Sequence, residues 1–189
     1  MSARTVLSSE DIDRAVTRIA HKILEANTAV QKSSLQKSGT KNLVILGIPT
    51  RGVLLAERIA AVIAKAEPDA DISNILGRLD ITMYRDDLAT NPTRTVTETQ
   101  IPKQGIDDKV VVLVDDVLFS GRTIRAALDA LGEYGRPRAV KLAVLVDRGH
   151  RELPIRADFV GKNLPTAREE RINVNLSETD SQNAVGIES

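Results

Sequence analysis

The run Val111-Val112-Leu113-Val114 passes without a break into Asp115-Asp116. Four apolar residues, mostly β-branched, read as a strand buried on both faces. Such a strand needs structure packed above and below it. Residues 109–114 are therefore expected to lie inside a parallel sheet whose crossovers are helices. Further strands are expected at 43–48, 79–84 and 139–146, with shorter ones at 159–160 and 172–176. Helical patterns cover 53–65 and 123–132. Ser8-Ser9-Glu10-Asp11 opens an earlier helix, with Ser8 as its cap and Ile12, Val16, Ile19 and Ile23 as its apolar stripe.

Composition supports the same architecture. Hydrophobic residues are 42% of the chain but aromatics only 2%, so the core must be built from Val, Ile, Leu and Ala. The 189 residues suit one α/β domain spanning 1–189, with a long polar loop at about 85–104 and a polar tail from 177. Long loops inside compact domains often act as lids. Twenty-six basic and 26 acidic side chains cancel, leaving no global field toward nucleic acid or membrane, although a local basic face remains open. The absence of cysteine excludes disulfides, thiolate metal sites and cysteine nucleophiles. No apolar run reaches the ~20 residues of a membrane span, and the polar N-terminus lacks a signal-peptide pattern. The expected location is the cytoplasm.

Chemistry concentrates just after the first run. Ligands of open α/β sheets bind beyond the carboxyl ends of strands, where Asp115 and Asp116 stand. Ser120-Gly121-Arg122-Thr123 then leads into a helix. Gly121 admits close backbone approach, the helix start offers unpaired N–H groups, and Ser120 and Thr123 add hydroxyls. That half suits a phosphate. Two ionised carboxylates suit the vicinal hydroxyls of a ribose. Either half alone is equally well a solvated turn or an ordinary helix cap; the two together after a buried strand are not. Neither a P-loop ending nor a GxGxxG is present at this turn.

The segment 111–123 resembles the 13-residue 5-phosphoribosyl-1-pyrophosphate (PRPP) motif of type I phosphoribosyltransferases. The resemblance implies that fold: a mostly parallel central sheet flanked by helices, with a small hood and a flexible loop. It assigns Asp115 and Asp116 to the ribose hydroxyls. Val117, Leu118, Phe119, Ser120, Gly121, Arg122 and Thr123 form the phosphate loop. Purine 6-oxo enzymes carry an aspartate where this chain has Phe119, so a purine substrate is disfavoured. Further blocks are Thr17-Arg18-Ile19-Ala20-His21, residues 47–52, 80–88 and 143–158, and Gly161-Lys162-Asn163. They are similar to the bifunctional bacterial regulators of the pyrimidine operon that are also uracil phosphoribosyltransferases. That resemblance implies conversion of uracil and PRPP to UMP and pyrophosphate. Thr50 and Arg51 would bind the pyrophosphate, Arg85 and Arg94 would serve the loop, and Arg148 and Ile172 would border the base. It also implies Mg²⁺ held chiefly by substrate oxygens, and a homodimer or higher assembly.

The outward side of the first helix carries Arg14, Thr17, Arg18 and His21. By composition alone this reads as a solvated helix face, since Glu10, Asp13 and Glu25 dilute the charge and no aromatic stacking platform is present. The resemblance favours RNA: Thr17, Arg18, His21, Arg151, Arg156 and Lys162 match or adjoin positions associated with binding a leader-mRNA hairpin, promoted by uridine nucleotides (UMP, UTP). Glu25-Ala26-Asn27 departs from relatives that carry a basic residue there. The alternatives are a regulator that keeps the site only as a nucleotide sensor, and a salvage phosphoribosyltransferase for another base with no RNA partner.

Overall fold

In the computed structural model, which describes residues 3–29, 38–87 and 96–188, the chain forms two sheets. Strand β1 (Ala3–Leu7) leads into helix α1 (Ser9–Ala29). The helix start is a reciprocal cap. The Ser8 amide and hydroxyl donate to the Asp11 carboxylate at 3.0 and 2.9 Å, and the Asp11 amide donates back to Ser8 Oγ at 3.3 Å. Ile12, Val16, Ile19 and Ile23 are all buried, as their spacing predicts.

The larger sheet contains β2 (Leu43–Gly47), β3 (Leu76–Arg78), β4 (Val110–Leu118), β5 (Ala139–Asp147) and β6 (Phe159–Asn163), in the order β3-β2-β4-β5-β6. All its pairings are parallel. Along β4, Val112 and Val114 join a core with α1 and α2 (Arg51–Ala66), while Val111 and Leu113 join a second core with α3 (Arg122–Leu131). Burial on both faces is why the strand reads as a continuous apolar run. The chain leaves β2 toward one edge of the sheet and leaves β4 toward the other. A crevice therefore opens between their carboxyl ends.

Three expectations are corrected. Strand β4 runs on to Leu118, so Asp115 and Asp116 lie within its last turns of pleat rather than beyond it. Residues 79–84 do not form a strand. The Asp80 carboxylate accepts the Thr82 amide at 2.7 Å and turns the chain into a 3-10 helix at Thr82–Tyr84, while the strand lies earlier as β3. The alternation there was real for Leu79 and Ile81, which are buried, but Met83 points to solvent. The third correction is the tail: residues 184–188 form β8 (Ala184–Glu188), the middle strand of a small antiparallel sheet β1-β8-β7, with β7 at Arg171–Asn175. Val185 and Ile187 are buried within it. This second sheet is the hood.

Among the described residues no helix is long and apolar enough to cross a membrane. Asn27 is buried and donates to the carbonyls of Gly39 and Lys41 at 2.7 and 2.9 Å. It fastens the chain entering β2.

Substitution of Ser8 by Ala is expected to cost about 1 kcal/mol of unfolding free energy in denaturant titrations. The Asp11 carboxyl is lowered from 3.8 to about 2 by the Ser8 amide first, then by Arg14 and the Ser8 hydroxyl. A depressed folded-state pKa stabilises above the unfolded value and loses that effect as pH falls. The stability gap between wild type and Asp11→Asn should therefore close as pH drops from 3.8 toward about 2.

Candidate active site

Strand β4 delivers both carboxylates to the crevice. Asp115 is 8% exposed and Asp116 is partly exposed. Each accepts the amide of the following residue, Asp116 to Asp115 at 3.0 Å and Val117 to Asp116 at 2.8 Å, which fixes their direction. Both line a cleft of about 560 Å³ with Thr50, Arg51, Asp80, Arg85, Val117 and Thr123. A second hollow of about 250 Å³ continues from it over Leu118, Phe119, Ser120, Gly121 and Arg122. The two share Arg85, Asp115, Val117 and Thr123, so they are one site with two ends.

The two loops that close this site have different geometric reasons. Gly121 caps α3 with φ of 94°, a left-handed backbone that side-chain-bearing residues seldom adopt. Gly52, at the start of α2, stands so close to β4 that a Cβ would lie 2.4 Å from the Val114 carbonyl oxygen. The Pro49–Thr50 peptide is cis.

Residues 148–155 bracket the phosphate loop. The Glu152 and Leu153 amides donate to the Ser120 carbonyl at 3.0 and 3.1 Å, and the Arg148 amide donates to Leu118 O at 3.1 Å. Arg151 is half-buried. Its guanidinium donates to Phe119 O at 2.8 Å, Gly149 O at 3.1 Å and Ile155 O at 3.0 Å, and pairs with Asp147. Arg122 turns outward from the loop, to Asp86 at 2.6 Å and Glu152 at 2.8 Å. Those two partners hold its guanidinium firmly protonated, Glu152 first and then Asp86.

Asp80 anchors the far side of the long loop. It accepts the Thr97 amide and hydroxyl at 2.8 and 2.6 Å, besides the Thr82 amide. Burial pushes its carboxyl up, but the Thr97 and Thr82 hydrogen bonds outweigh that and leave it below its ordinary value. Arg85 pairs with Asp87 at 2.6 Å at the loop's near end. Arg94 lies outside the described residues.

The two residues expected beside the base separate. Ile172 lines a hollow of about 300 Å³ under the hood together with Arg51, Asp116, Asn173 and Asn175. Arg148 is 6% exposed, its guanidinium 4.2 Å from the Phe119 ring centroid, with bonds to Thr166 Oγ1 and Ala167 O at 3.0 Å each. Burial pushes the Arg148 guanidinium below its ordinary value. Phe119 also meets His150 edge-on.

The residues expected to form the RNA surface are only partly gathered. Thr17, Arg18 and His21 are exposed on α1. Arg18 donates to the Gly161 carbonyl on the edge strand β6, next to exposed Lys162. Arg156 is exposed between Ile155 and Ala157, which pack on the α3 side of the sheet. Arg151 is taken up by the phosphate loop. Asp80 lines the cleft, while Glu152 and Asp180 pair with the site arginines Arg122 and Arg51; the sequence reading did not single these three out. No spacing rule links them to the motif, since each acts through a chain reversal.

Comparison with known proteins agrees with this geometry. The phosphoribosyl transferase domain model matches residues 8–177. The bifunctional protein PyrR of Leifsonia xyli is 63% identical over 190 residues, 100% of this chain and 98% of the relative. That of Streptomyces coelicolor is 58% identical, covering 97% of this chain and 88% of the relative. A hypoxanthine-guanine phosphoribosyltransferase structure from Bacillus anthracis aligns with TM-score 0.67 at 18% identity, covering 98% of both chains. A hypoxanthine phosphoribosyltransferase structure from Trypanosoma cruzi aligns with TM-score 0.65 at 15% identity, covering 97% of this chain and 95% of that one. At such identity these two bear on the fold alone. The paired acids on β4, the glycine-capped loop beyond them and the full-length relatives together make this chain a member of the phosphoribosyl transferase family, within the bifunctional PyrR proteins.

Proposed function

We propose that the chain makes UMP from uracil and PRPP and also binds the leader mRNA of the pyrimidine operon in response to uridine nucleotides. One observation carries the catalytic half: Asp115, Asp116, the phosphate loop and the Thr50–Arg51 turn converge on a single cleft. In the reaction, uracil N1 bonds to ribose C1′ as the bond from C1′ to pyrophosphate oxygen breaks. The electron pair leaves with pyrophosphate, and the N1 proton is released. Asp115 and Asp116 accept the ribose hydroxyls and hold C1′ in line. Ser120, Gly121 and Thr123 take the 5′-phosphate at the start of α3. Arg51 and Thr50 meet the charge that builds on the leaving group. Arg85 lines the cleft, and with Arg94 it serves a loop whose closure keeps water from the ribosyl centre.

Among the described residues no three His, Cys, Asp or Glu side chains group as a metal site. Asp115 and Asp116 line the cleft with Asp80, which Thr82 and Thr97 already occupy, and so small a donor set fits Mg²⁺ bound mostly through substrate oxygens. When bound, the ion would neutralise charge on the pyrophosphate. Ile172 and the hood hollow suit the base. Phe119 cannot accept a proton from a purine N7, which supports a pyrimidine over a purine. Exposed Met83, Tyr84 and Leu128 supply apolar surface for a homodimer or higher assembly.

The word bifunctional in the relatives' name supports a second activity. Thr17, Arg18, His21 and Lys162 offer donors and positive charge along α1 and the β6 edge, with Arg156 across the sheet. Arg151 grips the phosphate-loop carbonyls, which gives nucleotide binding a physical route to the RNA surface.

Purified protein with uracil, PRPP and Mg²⁺ should form UMP. The Asp115→Asn/Asp116→Asn pair should lose at least about a hundredfold in rate. A wild-type rate equal to that of the pair removes the enzymatic half. Leader RNA should bind more tightly with UMP present. Arg156→Ala should weaken that binding about tenfold and flatten its salt dependence while leaving UMP synthesis unchanged. Arg151→Ala should lower both activities; an effect on RNA alone would refute its place in the phosphate loop.

A further inference from the structure

Arg51 is not held by the turn that carries it. It is the first residue of α2, yet its Nη2 reaches across to the hood and donates to both carboxylate oxygens of Asp180, at 3.1 and 3.2 Å. Asp180 sits in the turn between β7 and β8, where it accepts the Leu176 amide at 2.9 Å and the Thr179 hydroxyl at 3.2 Å. The Leu176 amide chiefly, and Arg51 after it, keep its carboxyl below the ordinary value despite some burial. The Leu176 amide and the Thr179 hydroxyl thus orient the carboxylate that Arg51 meets.

The remaining donors of Arg51 make this contact informative. Its Nε is buried with no acceptor, so local hydrogen bonding did not select the pose. Asp180 engages Nη2 and Nε is buried, so Nη1 is the nitrogen left to meet an anion in the cleft that Arg51 lines. The same arginine lines both the main cleft and the hood hollow.

Arg58 provides an internal comparison. Seven residues along the same helix, it also binds the hood turn, through Glu178 at 2.6 and 2.8 Å and Asn183 Oδ1 at 2.7 Å. It lines neither the cleft nor the hood hollow. The turn therefore has two arginine latches, one structural and one belonging to the site.

We infer that Asp180 is a positioning residue for the transfer reaction: it holds Arg51 where the pyrophosphate of PRPP binds, so that docking of the hood on α2 sets affinity for that end of the substrate. This rests on the assignment of Arg51 to pyrophosphate made above.

Steady-state kinetics of Asp180→Asn, Asp180→Glu and Glu178→Gln test it, together with thermal melts in the presence and absence of Mg²⁺-pyrophosphate. Asp180→Asn should raise KM for PRPP roughly tenfold while KM for uracil changes by less than about twofold. Asp180→Glu keeps the charge but displaces it by one methylene, and should fall between the two. Glu178→Gln should lower the melting temperature without raising KM for PRPP. Pyrophosphate should raise the melting temperature of wild type more than that of Asp180→Asn. An unchanged KM for PRPP in Asp180→Asn overturns the inference, as does an equal rise in Glu178→Gln. Should Asp180→Asn fail to fold, a wild-type KM in Asp180→Glu overturns it instead. Absence of UMP synthesis in wild type refutes the reaction, while the pyrophosphate melts still decide the role of Asp180.

Discussion

Strand β4 is hydrogen-bonded on both sides, to β2 and β5, and packed on both faces by separate cores. Enclosed in this way, the strand carries only apolar side chains from Val110 to Val114. Its carboxyl end, where β2 and β4 send their chains to opposite edges, is the first place where Asp115 and Asp116 reach solvent and ligand. The loop 118–123, the Thr50–Arg51 turn and the anchors of the long loop are all arranged around that end.

Arg151, one of the positions expected at the RNA surface, also donates to the backbone of the loop beyond β4. Residues 148–155 hold the phosphate loop by its carbonyls, through the amides of Arg148, Glu152 and Leu153 and the side chain of Arg151. Hydrogen bonds to backbone carbonyls fix a loop's shape without occupying the N–H groups that an anion needs. The start of α3 therefore keeps its N–H groups toward the hollow while the loop's carbonyls are fastened from behind. The hood plays the corresponding part at the other end of the cleft, where α2 is tied to the β7–β8 turn by Arg51 and Arg58.

Much of this was legible in the residues. The buried run 111–114, the paired acids, Gly121 and the capped first helix each carry a local signature, because sterics, periodicity and backbone hydrogen bonding act over a few residues. The strand expected at 79–84 was misread because alternation describes which side chains are buried, not whether the backbone is extended. Asp80 captured the Thr82 amide and turned the chain. The tail was read as polar, since Ser177, Glu178 and Asp180 dominate its start. Those polar groups are the ones that α2 and the neighbouring amides take up.

By itself, the sequence determined the parallel sheet, the ligand class at the end of β4 and the family resemblance, because each is written in contiguous residues. Only the tertiary structure decided that Arg151 donates to the Phe119 carbonyl, that Arg148 stacks on the Phe119 ring, and that Arg51 pairs with Asp180. Those partners are separated by up to 129 positions. An ion pair of that kind leaves no spacing to read, since its geometry exists only once two elements distant in the chain have packed together.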